Sequence, residues 1–347
     1  MIASYPRVKD KLVLCLIVES YLKIGKPVSS GHVAQQGTID VSPATVRNIM
    51  VRLEEEGYLA QPYTSAGRIP TDRGLKFYVN TLFEEALYPE QQVDFLSKSF
   101  LIQKGDFNSL LNDVSKLLSE YSGNLGFVIS PRISNINFHH IRFIKISEEK
   151  IILILVTTFH LVLTEIIETK NLYTQVELDR ASAHINENFA GRNLSYVRDY
   201  LLQEVPRYKS RYDDVIRKIT SLLKSTVFQE ESESRIFLQG VSKLVEKTEM
   251  FDIESLKSLF QQFEEKARLA KLLSDVISLR SVKVLIGSEL DLTDISDCSL
   301  ILSHYGYDRQ VLGSLGIIGP KRIPYKKIIP LVDCVAMRLS QAMSRFQ

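Results

Sequence analysis

Positions 42–52 of the chain read Ser-Pro-Ala-Thr-Val-Arg-Asn-Ile-Met-Val-Arg, and positions 63–68 read Tyr-Thr-Ser-Ala-Gly-Arg. The chemistry open to these side chains is recognition rather than bond-making. An arginine fork matches two acceptors on guanine, an asparagine amide pairs bidentately with adenine, and the methyls of alanine and threonine suit the thymine methyl. Ala44, Thr45, Arg47, Asn48 and Arg52 supply that set within one short segment. Ser42 can cap a helix with its hydroxyl. Pro43 suits the first helical position, where no N–H is needed, and the free amides of that helix end favour a phosphate. Thr64 and Ser65 add short hydroxyls for phosphates, and Gly67 is expected to give a turn with positive φ. Arg68, placed at the tip of that loop, would enter a minor groove, where negative potential is focused.

Such residues need a scaffold that presents them. Residues 6–24 read as a helix, with Val8, Leu12, Cys15, Leu16, Glu19 and Leu22 at three- and four-residue steps and Gly25 as a stop. A short second helix starts after Ser29 or Ser30 and ends near Gln36, and a third runs from the Ser42 cap to Glu56. Advancing about 100° per residue along the third, Val46, Ile49, Met50 and Leu53 fall in one sector. That sector packs on the first two helices, leaving Ala44, Thr45, Arg47, Asn48, Val51 and Arg52 outward. Tyr58–Pro62 and Ile69-Pro70 are extended pieces around a Ser/Gly turn, a hairpin. Helix, turn, helix and hairpin make the plan of a winged helix-turn-helix, with the third helix as its reader. The bland alternative pairs Arg47 and Arg52 with Glu54–Glu56 on a solvated face, beside a plain hairpin with one exposed arginine.

A fourth helix follows Thr71, with Leu75, Val79, Leu82, Phe83 and Ala86 on one stripe, and Leu87-Tyr88-Pro89-Glu90 breaks it. The first domain is therefore placed at 1–88 and the remainder at 89–347. Downstream, Leu125–Ser130, Ile141–Ser147, Ile151–Val156 and Leu161–Ile167 read as strands joined by short turns, hence antiparallel neighbours. Ile151–Val156, apolar on both faces, is expected to be central and covered on both sides. From 180 to 280 the pattern is largely helical, with Leu256, Leu259, Phe260, Phe263, Ala267, Ala270 and Leu273 on one face. Val282–Ile286 and Ser299–Ser303 are further strands. A last helix carries Leu331, Val332, Val335, Leu339 and Met343.

At 347 residues, 45% hydrophobic and 24% charged, the chain can bury two or three cores without staples. Cys15, Cys298 and Cys334 are scattered and odd in number, which reads as reduced thiols in the cytoplasm. No run approaches the ~18 apolar residues of a membrane span, and Leu12–Val18, ended by Glu19, is not read as a signal peptide. Within a net charge of +2, residues 1–80 hold ten Lys/Arg and seven Asp/Glu, a weak pointer to nucleic acid. Gly313–Gly319 lacks phosphate-loop spacing and precedes Pro320, so it reads as a Gly-rich structural turn. His139 and His140, adjacent in a strand, point to opposite faces and do not easily chelate one metal. With neither a nucleophile elbow nor a convincing carboxylate pair, the chain is expected to be no enzyme, with no metal and no cofactor.

Pro27-Val28-Ser29-Ser30, Ser42 with Ala44–Asn48 and Met50, Leu53–Leu59, Gln61-Pro62 and Thr64–Thr71 together closely resemble the HrcA heat-inducible transcription repressor family. Gly316–Tyr325, with Gly287 and Glu289, is similar to that family's second signature. The resemblance spans nearly the whole chain. It implies an α+β multidomain protein: an N-terminal winged helix-turn-helix, a GAF-like α/β domain, and a dimerising segment inserted into that domain, placed at roughly 172–240. It further implies a cytoplasmic homodimer, on the bacterial nucleoid when bound, that represses chaperonin and DnaK-type operons. Its partners are double-stranded DNA, at the inverted-repeat operator called CIRCE, and the chaperonin, which keeps the repressor competent. The site set is Ser42, Ala44, Thr45, Arg47, Asn48, Arg52, Thr64, Ser65, Gly67 and Arg68. Three positions depart from the family pattern: Tyr63 stands where histidine is usual, Ile49 and Arg52 where acidic residues are common. Two lost negative charges facing DNA are expected to raise non-specific affinity. A rival reading makes the GAF-like domain a small-molecule sensor whose ligand is the inducer, although fold analogy is its main warrant and the domain has no obvious charged or metal-binding cluster.

Overall fold

Helix α1 (Val8–Ile24) stops at Gly25, whose φ of 71° is left-handed and whose amide closes on the Tyr21 carbonyl at 2.8 Å. A computed structural model describes residues 6–36, 41–64, 66–84, 107–131, 137–157, 162–169, 172–193, 196, 197, 200, 235–246, 282–290, 297–307 and 310–345. Helix α2 (Ser30–Gln35) is capped by Ser29, whose Oγ accepts from the His32 amide. Helix α3 (Pro43–Glu55) follows, then strands β1 (Leu59–Ala60) and β2 (Ile69–Pro70), which pair antiparallel, and helix α4 (Asp72–Glu84). Val13, Leu14, Ile17, Val46, Leu53 and Val79 are fully buried in this unit. Each such side chain stabilises it by roughly 1.5–3 kcal/mol through leaving water.

Beyond this unit the chain runs α5 (Phe107–Ser122), β3 (Leu125–Ile129), β4 (Phe138–Lys145), β5 (Lys150–Thr157), β6 (Val162–Glu168) and α6 (Gln175–Phe189). It continues through β7 (Ile236–Gln239), the short α7 (Val241–Val245), β8 (Lys283–Ile286) and a 3-10 turn (Gly287–Leu290). Strands β9 (Cys298–Tyr307) and β10 (Gln310–Pro320) and helix α8 (Tyr325–Arg345) complete it. A five-stranded antiparallel sheet has the spatial order β7-β3-β10-β9-β8. Leu118 of α5 and Ile329, Val332 and Leu339 of α8 share one core with Ile301, Leu315 and Ile317 of the sheet. That core is continuous with the N-terminal unit, since Leu75, Tyr78 and Leu82 of α4 belong to it. The architecture is α+β and compatible with a GAF-like fold.

Strand β10 corrects the expected glycine-rich turn. Gly316 lies mid-sheet, paired to Phe127 on one side and Leu302 on the other. A β-carbon at Gly316 would overlap the Ile301 carbonyl, and one at Gly313 would overlap the Ile129 carbonyl and the Tyr305 ring. These glycines serve close packing inside a strand rather than chain reversal.

Strands β3 and β7 are neighbours, so the chain between them is an excursion from the main sheet. Its ends meet: the Ser130 amide donates to the Arg235 carbonyl and the Arg235 amide to Ser130 Oγ, each at 2.8 Å. The chain therefore leaves the main sheet after Ser130 and returns to it at Arg235; the dimerising segment expected at roughly 172–240 lies for the larger part outside the described residues. Strands β4, β5 and β6 belong to the excursion because short antiparallel connections make them pair with one another, in the order β4-β5-β6. Phe138, Phe143, Leu153, Leu155, Leu178 and Ile185 give this unit a core of its own. Helix α6 also closes the β4 edge, where Asn186, Ser182 and Gln175 accept from the amides of Ile141, Phe143 and Lys145.

β5 is central in its sheet, as expected, and among the described residues its two faces differ in cover. Ile151, Leu153 and Leu155 are buried, while Ile152, Ile154 and Val156 are half-buried on the opposite face. That face extends to Val162 and Ile166 of β6, 60% and 59% exposed. Strand β7 interrupts a stretch that reads as helical. Ala86, the Leu87–Glu90 break, Leu161 and the stripe from Leu256 to Leu273 lie outside the described residues. Among those described, no helix is long and apolar enough to cross a membrane.

Candidate nucleic-acid interface

α3 is held by its start and by one face. Ser42 Oγ accepts from the Thr45 amide at 3.2 Å and lies 3.0 Å from Thr45 Oγ1, so the cap also orients a second hydroxyl. Val46, Ile49, Met50 and Leu53 are buried, the sector expected from helical geometry. Ser42, Ala44, Thr45, Arg47, Asn48 and Val51 are exposed. The side chains of Arg47 and Asn48 make no hydrogen bond or ion pair among the described residues, so neither pairs with Glu54–Glu56 there. Their donors face solvent beside the helix N-terminus, where free amides and the dipole favour an anion.

The other two arginines are engaged. Arg52 Nη2 donates to Asp10 Oδ1 at 2.7 Å, and Asp10, on α1, is only 5% exposed. Arg68 sends Nε and Nη2 to the same oxygen of Glu54, both at 2.8 Å, with its side chain 16% exposed. Nor is Arg68 at the loop tip. Its amide and carbonyl pair with those of Val28 at 2.9 Å, which fixes it at the base of the hairpin. The turn itself lies between Tyr63 and Ala66, where the Ala66 amide donates to the Tyr63 carbonyl at 2.9 Å. Thr64 is exposed on this turn; Ser65 lies outside the described residues.

Two expectations change on this geometry. Gly67 is absent from the positive-φ glycines, and a β-carbon there would instead overlap the Val28 carbonyl; glycine is required by close backbone approach. Ile49 is 2% exposed, so a charge lost at that position does not face DNA, and the charge gained at Arg52 is balanced by Asp10. The expected rise in non-specific affinity therefore loses its basis.

Several residues that build this surface have no signature in the sequence. Gln61 Nε2 donates to the Thr64 and Ala66 carbonyls at 2.9 and 3.1 Å, tying the turn closed. Arg73 donates to the Glu56 carbonyl at 2.8 Å and stacks 4.4 Å over the Tyr58 ring, placing a cation at the C-terminus of α3. Asp10 and Glu54 matter through their arginine partners.

Away from this surface, Cys298 and Cys334 are buried. Burial, with Asp297 adding to it, pushes the Cys298 thiol up to about 12, and burial also raises Cys334. No group of three or more His, Cys, Asp or Glu that could hold a metal occurs among the described residues.

The family profile described as the HrcA protein C-terminal domain matches residues 108–329. The heat-inducible transcription repressor HrcA of Geobacter sulfurreducens is 35% identical over 335 residues, 96% of this chain and 97% of that protein. The chain belongs to the HrcA family. The HrcA repressor of Nitrosomonas eutropha is likewise 35% identical, over 338 residues, covering 97% of this chain and 99% of its own length. A crystal structure described as that of a hypothetical protein at 2.2 Å resolution covers 99% of this chain and all of its own, with a TM-score of 0.66 at 24% identity. That likeness establishes a shared fold. The HrcA relatives are named for repression, which is not catalysis.

Proposed function

We propose that the chain is a homodimeric transcriptional repressor of heat-shock operons that reads an inverted-repeat operator through two winged helices. The observation that carries this reading is the free polar face of α3: Ala44, Thr45, Arg47 and Asn48 are solvent-facing above a buried Val46–Leu53 stripe. Arg47 and Asn48 read base edges, while Ser42, Thr45, Thr64 and Ser65 meet phosphates. Arg52, Gly67 and Arg68 complete the contact surface mainly by holding it in shape. The same reading takes the operator to be of the CIRCE class and the protein to work in the cytoplasm with a chaperonin as its partner.

Dimerisation is assigned to the excursion between 131 and 234. Its open sheet face supports this, because Ile152, Ile154, Val156, Val162 and Ile166 form a contiguous apolar surface that water disfavours. A two-fold axis through such a contact would present two reading helices to the halves of a palindrome.

The test is titration of the protein against an inverted-repeat operator from upstream of chaperone genes and against a scrambled duplex. Arg47→Ala is expected to lose ~1–3 kcal/mol on the operator and to narrow its preference over the scrambled DNA. An unaltered ratio removes Arg47 from the reading set. Equal binding of both duplexes by the wild-type protein overturns the reading as a whole.

A further inference from the structure

The N-terminal unit and the five-stranded sheet share an apolar core, but apolar contact has no direction of its own. Direction at this junction comes from charge. Asp72 and Lys76 stand one turn apart at the start of α4, hence on one face of the helix. Lys321, just after β10, reaches Asp72 Oδ1 at 2.6 Å. Glu289, in the 3-10 turn after β8, receives Lys76 Nζ at 2.8 Å, and Lys76 also donates to the Val284 carbonyl at 2.6 Å. Each partner is itself anchored. The Ser288 amide points to Asp72 Oδ2 at 3.4 Å, and the Ile286 amide donates to Glu289 Oε2 at 3.1 Å.

Gly287, with φ of 55°, brings this turn against α4; a β-carbon there would collide with the Asp72 carboxylate. A second grip lies on α1, where Arg322 Nε donates to the Leu22 carbonyl at 3.3 Å and Lys326 meets Glu19 at 3.5 Å. The pattern on α4 is minus then plus, and the sheet answers plus then minus. Reversing the helix on the sheet, or turning it end for end, would set Asp72 against Glu289 and Lys76 against Lys321. Like charges brought together this way make one alignment favoured over its alternatives.

We propose that Asp72, Lys76, Glu289 and Lys321 are positioning residues for operator recognition: their crossed ion pairs fix the angle at which the reading unit is held on the sheet. In a dimer, that angle sets the separation of the two α3 helices and so the spacing of half-sites the protein accepts. Only one residue separates β2 from α4, so an orientation imposed on α4 is passed directly to the hairpin and α3. The inference rests on the dimeric operator-reading function proposed above.

The experiment measures binding of the full chain to a single half-site duplex and to inverted repeats with shortened, native and lengthened spacers. The proteins are wild type, Lys76→Glu, Glu289→Lys and the double reversal. Each single reversal is expected to weaken binding to the natively spaced repeat by roughly tenfold, or to flatten the dependence on spacer length, with half-site binding nearly unchanged. The double reversal restores the spacer preference. Lys76→Met, which keeps the aliphatic stem and loses the charge, is expected to flatten the same dependence and stands in should a reversal fail to fold. Spacer profiles that stay wild type in the single variants and in Lys76→Met overturn the proposal, as does a parallel fall on half-site and full operator, since either leaves the pairs merely structural. A wild-type protein indifferent to the repeat refutes the underlying functional reading instead, and the two failures are told apart by that control.

Discussion

Two arginines on α3 look alike in the sequence and do different work. Arg47 is free, so Arg47→Ala is expected to weaken operator binding while leaving the urea midpoint within the scatter of surface substitutions, about 0.5 kcal/mol. Arg52 neutralises Asp10, which lies almost wholly out of water. Arg52→Ala strands that carboxylate, and a loss of about 1–3 kcal/mol in unfolding free energy is expected. Equal stability of the two variants would show that the Asp10 pair contributes nothing. The same scale explains what could be read in advance. The outward set of α3 follows from helical period, and the Ser42 cap from its hydroxyl and the proline after it. The partners of Arg52 and Arg68 do not follow from any local rule, because Asp10 lies 42 positions away and Glu54 on a different element from Arg68. The thiols offer a chemical check. Raised values keep Cys298 and Cys334 protonated near neutrality, and the protonated thiol is a poor nucleophile. Both should resist maleimide at about pH 8 until the chain is unfolded; rapid labelling of native protein at either position would contradict their burial.

At the scale of elements, the helices and the hairpin of the N-terminal unit were legible because caps, stops and period all agree there. β10 was not. Glycine density ordinarily marks a turn, and no local pattern reveals that a tyrosine ring and a neighbouring carbonyl require the missing side chains. The consequence is measurable. Gly316→Val puts two methyls against the Ile301 carbonyl and the Phe127 ring, at the middle of the sheet. The expected loss is about 2–4 kcal/mol by denaturant unfolding, beyond the usual range for a β-branched residue placed in a strand. A neutral or stabilising outcome would mean the strand can slide to make room. The excursion from the main sheet was not legible for a related reason. Strand pairing is decided by which segments meet, and β7, whose arrival next to β3 defines the boundary, is four residues long within a region that reads as helix.

For the whole molecule, the arrangement of cores decides which parts rise and fall together. One core joins the N-terminal unit to α5, α8 and one face of the five-stranded sheet, so these share a single network of packed side chains. The core of the excursion is separate and drawn entirely from residues 138–197. Cooperative units follow contiguous packing, and scanning calorimetry is therefore expected to resolve two transitions. Substitutions assign them. Leu178 is fully buried in the excursion core, and Ile329 is fully buried in the shared one; truncating either to alanine should cost roughly 2–5 kcal/mol. Leu178→Ala should lower one transition and weaken dimerisation, leaving the other in place. Ile329→Ala should lower the other transition and carry operator binding down at the same temperature, because the reading helix has no independent core on which to stand. A single transition, shifted alike by both substitutions, would show instead that the excursion and the body are coupled as tightly as the N-terminal unit and the sheet.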